Sequence, residues 1–173
     1  MPTPLATAFL AELEDEAATT RRLLQRVPAT SLAWRPHPKS MSLGELALHV
    51  AQIPGAFAAM LKADSVDFGT VDWGNPVPRS AEDILASLEA SVETAKAFLL
   101  ALDDTSANAL WRATLNSNQL FAAPRRALVR TLMFNHWYHH RGELMVFLRL
   151  LNVPLPPVYG PTADENPFVE QVR

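Results

Sequence analysis

The pattern with the most chemical content is a set of histidines. His136 and His140 stand four residues apart in HWYHHRGEL, within a segment whose apolar residues recur every three and four positions. In a helix, positions i and i+4 project from one face, about 40° apart, so both imidazoles can aim a nitrogen at one point. Helical zinc sites use the same spacing. His49 lies in LGELALHVAQI beside Leu46, Val50 and Ile53 and can reach the same core from a second helix. Three imidazoles converging from two helices would hold a divalent ion and leave positions open for water or substrate. The competing reading makes them core residues with ordinary hydrogen bonds. Burying three unpartnered imidazoles is costly, however, whereas a metal satisfies their lone pairs together.

Two further histidines and two carboxylates bear on the ligand set. His139 is a rival ligand, about 100° around the helix from His140; it is read as a flank residue, at a pocket rim or an interface. His37 sits in the Pro-rich stretch PATSLAWRPHPKSM and reads as surface. Glu45 is best explained as a helix cap. Glu143 either supports His136 or His140 from behind or forms a simple ion pair. The chain has no cysteine, which removes disulfides, thiolate ligands and a cysteine nucleophile. Any metal must therefore take imidazole or carboxylate ligands.

The elements that must position these residues are helices. The first covers about residues 4–26, with Leu5, Phe9, Leu13, Ala17 and Leu24 near one stripe. The second opens at Ser42, with Glu45 completing a capping box. It carries Leu43, Leu46, Val50, Ile53, Phe57 and Met60, and Pro54 predicts a kink or break. Residues 63–79 read as a long connection. Ser80 caps the third helix, whose stripe is Leu85, Leu88, Val92, Ala95, Leu99 and Leu102. Residues 103–123 are irregular, with ATLNSNQLF either a loop or a short extended piece. The fourth helix runs from near Pro124 to about Leu151. Its stripe of Leu128, Leu132, His136, His140, Leu144, Phe147 and Leu151 places two histidines in the core face itself. A tail without periodicity follows and is expected to lie over the helices. With no convincing strand pattern, the expected fold is all-α: one domain, residues 1–173, built as a bundle in which each stripe is buried against the others.

Composition limits the partners. The 173 residues are 49% hydrophobic and 19% charged, enough apolar material for one core and too much for a disordered chain. The formal charge is −3 and the pI about 5.9, so no basic excess points to nucleic acid. The short cluster Arg125, Arg126 and Arg130 reads as the solvated start of a helix. The N-terminus lacks the pattern of a signal peptide, and no stretch is long and apolar enough for a membrane span. A cytoplasmic protein is expected, with neither membrane nor nucleic acid as a partner.

Two segments, MSLGELALHVAQ and HWYHHRGELMVFLRLLNVPLP, resemble the DinB-like superfamily. That superfamily includes the YfiT-like metal-dependent hydrolases and the thiol S-transferases of bacillithiol and mycothiol chemistry. Its pattern has one histidine on the second helix and an H-x-x-x-H-R-G-[QE] run on the last. Here these are His49, then His136 and His140 followed by Arg141, Gly142 and Glu143. WRPHPKSMSLGE and VYGPTADENPF also look like the family, so the resemblance covers nearly the whole chain. It implies a four-helix bundle with a long crossover connection, a metal on His49, His136 and His140 (zinc or nickel) and a homodimer. Glu143 departs from the more common Gln, and His139 is additional. A thiol S-transferase is the reaction the resemblance favours, joining a low-molecular-weight thiol to an electrophile. A metal-dependent hydrolase and a non-catalytic, stress-associated metal binder are the alternatives. Trp137, Tyr138, Arg141 and Trp111 are candidate pocket residues.

Overall fold

The structure, a computed structural model, describes residues 2–74 and 76–168. Helix α1 spans Pro4–Leu24. Pro4 opens it, where a missing N–H costs nothing, and the Thr3 hydroxyl accepts the Ala6 N–H at 3.2 Å. It ends two residues before the expected boundary and buries Phe9, Leu13, Ala17, Leu23 and Leu24. The following loop holds a short 3-10 turn at Ala29–Ser31. Two carbonyls of this loop, Trp34 and Leu32, accept the Leu43 and Gly44 N–H groups at 2.7 and 2.9 Å. They thereby satisfy first-turn donors of α2 that the helix cannot pair internally.

Helix α2 runs Leu43–Lys62. Its capping box forms as the sequence predicts: Ser42 N–H donates to Glu45 Oε2 at 2.6 Å and Glu45 N–H to Ser42 Oγ at 3.2 Å. Pro54 does not break it. The neighbouring helix α3, Ala81–Leu100, braces the turn beside it. Ser91 Oγ accepts the Gly55 N–H at 2.8 Å and donates to the Gln52 carbonyl at 3.1 Å. Gly55 permits this approach, because a Cβ there would stand 2.8 Å from Ser91 Cα. Ser80 caps α3 through Asp83 N–H at 3.2 Å.

The expected all-α class is met only in part. Helices dominate, but β1 (Ser65–Asp67), β2 (Leu110–Leu115) and β3 (Asn118–Pro124) form a small sheet in the order β1-β2-β3. β1 is parallel to β2, and β2 is antiparallel to β3. The β2–β3 turn is Asn116–Ser117, with φ of 49° and 70°, the positive values that a two-residue hairpin demands. Asp67 pins this turn by accepting the Gly69, Asn116 and Ser117 N–H groups at 2.9, 3.0 and 3.1 Å. Of the segment left open between loop and extended piece, most is strand. A short helix, α4 (Asp104–Asn108), precedes it.

The last helix is not uniform. It comprises α5 (Arg125–Leu128), a π-helical segment Val129–Asn135 and α6 (His136–Leu150). A π turn holds an extra residue, and each residue of an α-helix is worth about 100° of rotation. The buried face is therefore not the predicted stripe. Leu128, Val129, Met133, Phe134, Trp137, Arg141, Leu144 and Leu148 are buried, while Leu132, His136, His140, Phe147 and Leu151 are half-buried. The histidines lie on the flank of the core rather than in it.

The arginine cluster is likewise not a solvated helix start. Arg125 is 5% exposed and donates to the carbonyls of Leu61, Ser106 and Ala63 at 2.7, 2.8 and 3.1 Å, and to Asp64 at 2.9 Å. Arg130 grips Glu12 with two bonds of 2.6 Å and lies over the rings of Phe9 and Phe134. Only Arg126 is exposed. The tail carries no helix or strand among its described residues. It is tied down by Arg149 to Asp164, by Arg26 to Glu165 at 2.6 Å and by buried Leu155. Its last five residues, 169–173, lie outside the described residues.

Candidate metal centre

α2 and α6 pack against each other and bring the three histidines together. His49 sits on the second turn of α2, between the buried residues Leu46 and Val50. His136 is the first residue of α6, where the π segment ends; its own N–H is taken by the Met133 carbonyl. His140 follows one turn later. Ring centroids are 5.4 Å apart for His49 and His136, 4.6 Å for His49 and His140, and 4.6 Å for His136 and His140. One nitrogen from each ring lies within 4.8 Å of the other two.

His49 Nε2 and His136 Nε2 are 3.4 Å apart. This is long for an N–H···N bond. It matches the edge of a tetrahedron whose nitrogens lie at zinc–imidazole distance from a shared centre, ~3.3 Å. The donor set is three neutral-imidazole candidates, suited to zinc or nickel. These residues fit a divalent ion.

Electrostatics keep the site ready for a cation. Burial, reinforced by His140 and His136, pushes the His49 imidazole down to about 4. Burial and the neighbouring His140 and His139 rings also lower His136. Both are therefore unprotonated at neutral pH and present lone pairs.

Glu143 sets the third ring. Its Oε2 lies 2.6 Å from His140 Nδ1 and its Oε1 3.2 Å from His139 Nε2. An ionised carboxylate can only accept, so Nδ1 of His140 carries the proton and Nε2 is left with the lone pair. Both roles open to Glu143 are seen: it backs His140, not His136, and it pairs with His139. His139 is 64% exposed and paired with Glu143. His139, His140 and Glu143 also lie within reach of one another, but the two imidazole contacts already occupy the carboxylate. His37 is exposed in its loop and accepts the Lys39 N–H at 3.1 Å.

The candidate pocket aromatics and arginine are elsewhere. Trp111 is buried under the sheet, and its indole N–H donates to the Met60 carbonyl at 3.2 Å. Trp137 is fully buried. Tyr138 donates to Glu12 at 2.6 Å. Arg141, 1% exposed, pairs with Glu16 at 2.5 Å and donates to Thr20 at 3.1 Å and to Tyr159. Tyr138 and Arg141 face α1 and the tail. Besides Glu143 and His139, the residues that adjoin the histidines include some that sequence gives only as apolar-stripe positions. Phe57 packs on His136 with centroids 5.2 Å apart. A cavity of ≈ 420 Å³ opens against His140 and Glu143, walled by Met41, Leu46, Val146 and Phe147.

Residues 1–168 match the DinB family. The chain belongs to the DinB family. Among curated proteins, YrdA of Bacillus subtilis (strain 168) is 28% identical over 159 residues, covering 91% of this chain and 89% of YrdA. Two solved DinB-like structures share the fold. YjoA of Bacillus subtilis has a TM-score of 0.68 at 21% identity, over 87% of this chain and 97% of its own. A DinB-like protein from Bacillus cereus ATCC 10987 has a TM-score of 0.66 at 24% identity, over 87% and 95%. No helix among the described residues of this DinB-family chain is long and apolar enough to cross a membrane.

Proposed function

We propose that this DinB-family protein binds one divalent ion, zinc or nickel, through His49, His136 and His140. We further propose that it works as an S-transferase joining a low-molecular-weight thiol to an electrophile. In this reading residues 1–173 form one domain, a four-helix bundle with a long crossover connection, active as a cytoplasmic homodimer. The observation that carries the proposal is the approach of three imidazole nitrogens from two helices, one of them oriented by a carboxylate.

His49, His136 and His140 would hold a divalent ion, which would supply a lowered pKa to a thiol or water bound beside it. This chain's residues do the rest. His49 and His136 present unprotonated nitrogens, and Glu143 holds the proton of His140 on the far side of its ring. With no cysteine in the chain, the sulfur nucleophile comes from a cosubstrate. Three protein ligands leave room for it.

The test is thiol consumption. Protein loaded with zinc or nickel is incubated with bacillithiol, mycothiol or glutathione and chlorodinitrobenzene. Metal-dependent conjugation, lost in a His136→Ala/His140→Ala variant, is expected. Metal-dependent ester or amide hydrolysis without conjugation would replace the transferase by a hydrolase. Bound metal without either activity would make the protein a binder. Equal, negligible metal in wild type and variant would leave the histidines as half-buried structural residues.

A further inference from the structure

His140 meets a carboxylate at its outer nitrogen, and His136 meets none among the described residues. Nε2 of His136 is the nitrogen turned to the other ligands, 3.4 Å from Nε2 of His49. A neutral imidazole carries one proton, so an ion on Nε2 leaves Nδ1 to hold it. Metal-bound imidazoles almost always give that outer N–H to a carboxylate, a backbone carbonyl or water. For His136 the group must come from somewhere other than a side chain.

The backbone one turn earlier offers it. In an α-helix the N–H of residue 136 would bond the carbonyl of residue 132. Here it bonds the Met133 carbonyl instead, so that N–H does not occupy the carbonyl of Leu132. Burial and the His140 and His139 rings lower the His136 imidazole, whereas a bond to the Leu132 carbonyl works against them. The π segment, Val129–Asn135, ends at the residue before His136. The break in the regular ladder therefore falls at the ring that needs an acceptor. A π turn is an extra residue set into an otherwise continuous helix, and such turns are frequent at functional sites.

We propose that the π turn is a positioning device for the histidine centre: it frees the Leu132 carbonyl to accept Nδ1–H of His136, which fixes that ring with Nε2 toward the ion. The two α6 ligands are then held alike, His140 by a carboxylate and His136 by the main chain. The proposal rests on the metal-centre reading for the ion, but the tautomer it requires is measurable without metal.

Long-range proton–nitrogen correlation spectra of isotope-labelled, metal-free protein at neutral pH show which nitrogen of each histidine holds the proton. His136 should be protonated at Nδ1, and zinc should leave that tautomer in place. Its Nδ1 proton should exchange with water more slowly than the ring proton of exposed His37. Leu132→Ala keeps the carbonyl and should keep the tautomer, and Glu143→Gln should leave the His136 signals unmoved. The decisive variant is deletion of Thr131, which is exposed and bonds through its hydroxyl only the Ala127 carbonyl, at 3.0 Å. Losing one residue returns the π turn to α geometry with α5 and α6 in place, and the His136 N–H reclaims the Leu132 carbonyl. His136 should then show both tautomers, and zinc affinity should fall about 10- to 100-fold. A wild-type His136 protonated at Nε2 or mixed, or an Nδ1 proton exchanging as fast as that of His37, would overturn the proposal even if the deletion variant does not fold. A folded deletion variant with the wild-type tautomer and zinc affinity would overturn it too. Failure to load zinc with the tautomer intact would instead sink the metal-centre reading.

Discussion

Glu143 Oε2 lies 2.6 Å from His140 Nδ1, so the opposite nitrogen of that ring is committed to the face shared with His49 and His136. A carboxylate in this position fixes both the tautomer and the ring plane of a ligand, and its loss typically costs 10- to 100-fold in metal affinity. Glu143→Ala should therefore weaken zinc binding by about that factor, with Glu143→Gln intermediate because an amide oxygen still accepts. Competition with a chromophoric chelator measures it. Wild-type affinity in Glu143→Ala would reduce the carboxylate to a surface partner of His139.

The three ligands should behave differently from the two remaining histidines. His49→Ala, His136→Ala and His140→Ala should each lower zinc affinity by more than the ~100-fold upper bound for an outer-shell group. His37→Ala and His139→Ala should not. Plasma mass spectrometry of dialysed, metal-replete protein reads the stoichiometry directly. A His139→Ala variant that loses metal as fully as His140→Ala would move the site to the exposed His139, His140 and Glu143 group.

What the sequence makes legible here is local. The i, i+4 pair of His136 and His140, the Ser42–Glu45 box and the Ser80 cap each depend on residues three or four apart, and each forms. His49 joins the pair only through helix packing, and sequence could select it over His139 only by family resemblance. The π segment was invisible, because Leu128, Leu132 and His136 also fit an unbroken 3.6-residue repeat. That repeat put the histidines inside the core, and the extra residue of the π turn moves them to its flank. The sheet escaped notice because its strands are short and β3 is largely exposed, so burial leaves little period-two pattern. Arg125 and Arg141 looked like surface or pocket groups. Their burial depends on carbonyls and a carboxylate brought from distant segments. The cavity at His140 is a tertiary product of loop, α2 and α6, and has no motif.

Acid should destabilise the metal-free protein through His49. Burial and the neighbouring His140 and His136 rings push its imidazole down to about 4 in the fold, against an ordinary value of 6.5. Above 6.5 it is neutral in both states and stability is at its fullest. As pH falls from 6.5 toward 4 the unfolded chain takes up the proton first, so stability declines, and the decline ends below 4. His136, also lowered, adds in the same direction. The thermal midpoint of metal-free protein should fall by several degrees between pH 7 and pH 4.5, and His49→Phe should flatten that slope. An equal slope in the variant would mean that other groups carry the acid response.

The contact between Gly55 and Ser91 should prove sensitive to a single methyl group. Pro54 has no N–H to offer the helix, and Ser91 Oγ bridges the weakened ladder by taking the Gly55 N–H and giving to the Gln52 carbonyl. Gly55→Ala would place a Cβ 2.8 Å from Ser91 Cα and 2.9 Å from its carbonyl oxygen. Those are backbone atoms that cannot swing aside, so α2 and α3 must separate. Overpacking of this kind costs about 1–3 kcal/mol, outweighing the ~1 kcal/mol that alanine gains over glycine within a helix. Ser91→Ala removes the bridge without a clash and leaves the Gly55 N–H without its serine partner, at a cost of about 1–3 kcal/mol. In the double variant the parting of α2 and α3 has already disrupted the Ser91 bridge, so the combined cost should fall short of the sum of the two. Urea unfolding of the metal-free single and double variants measures all three. A Gly55→Ala protein as stable as wild type would show that the helices can part at this point without loss, and that the glycine is not what allows α2 to pass through Pro54 unbroken.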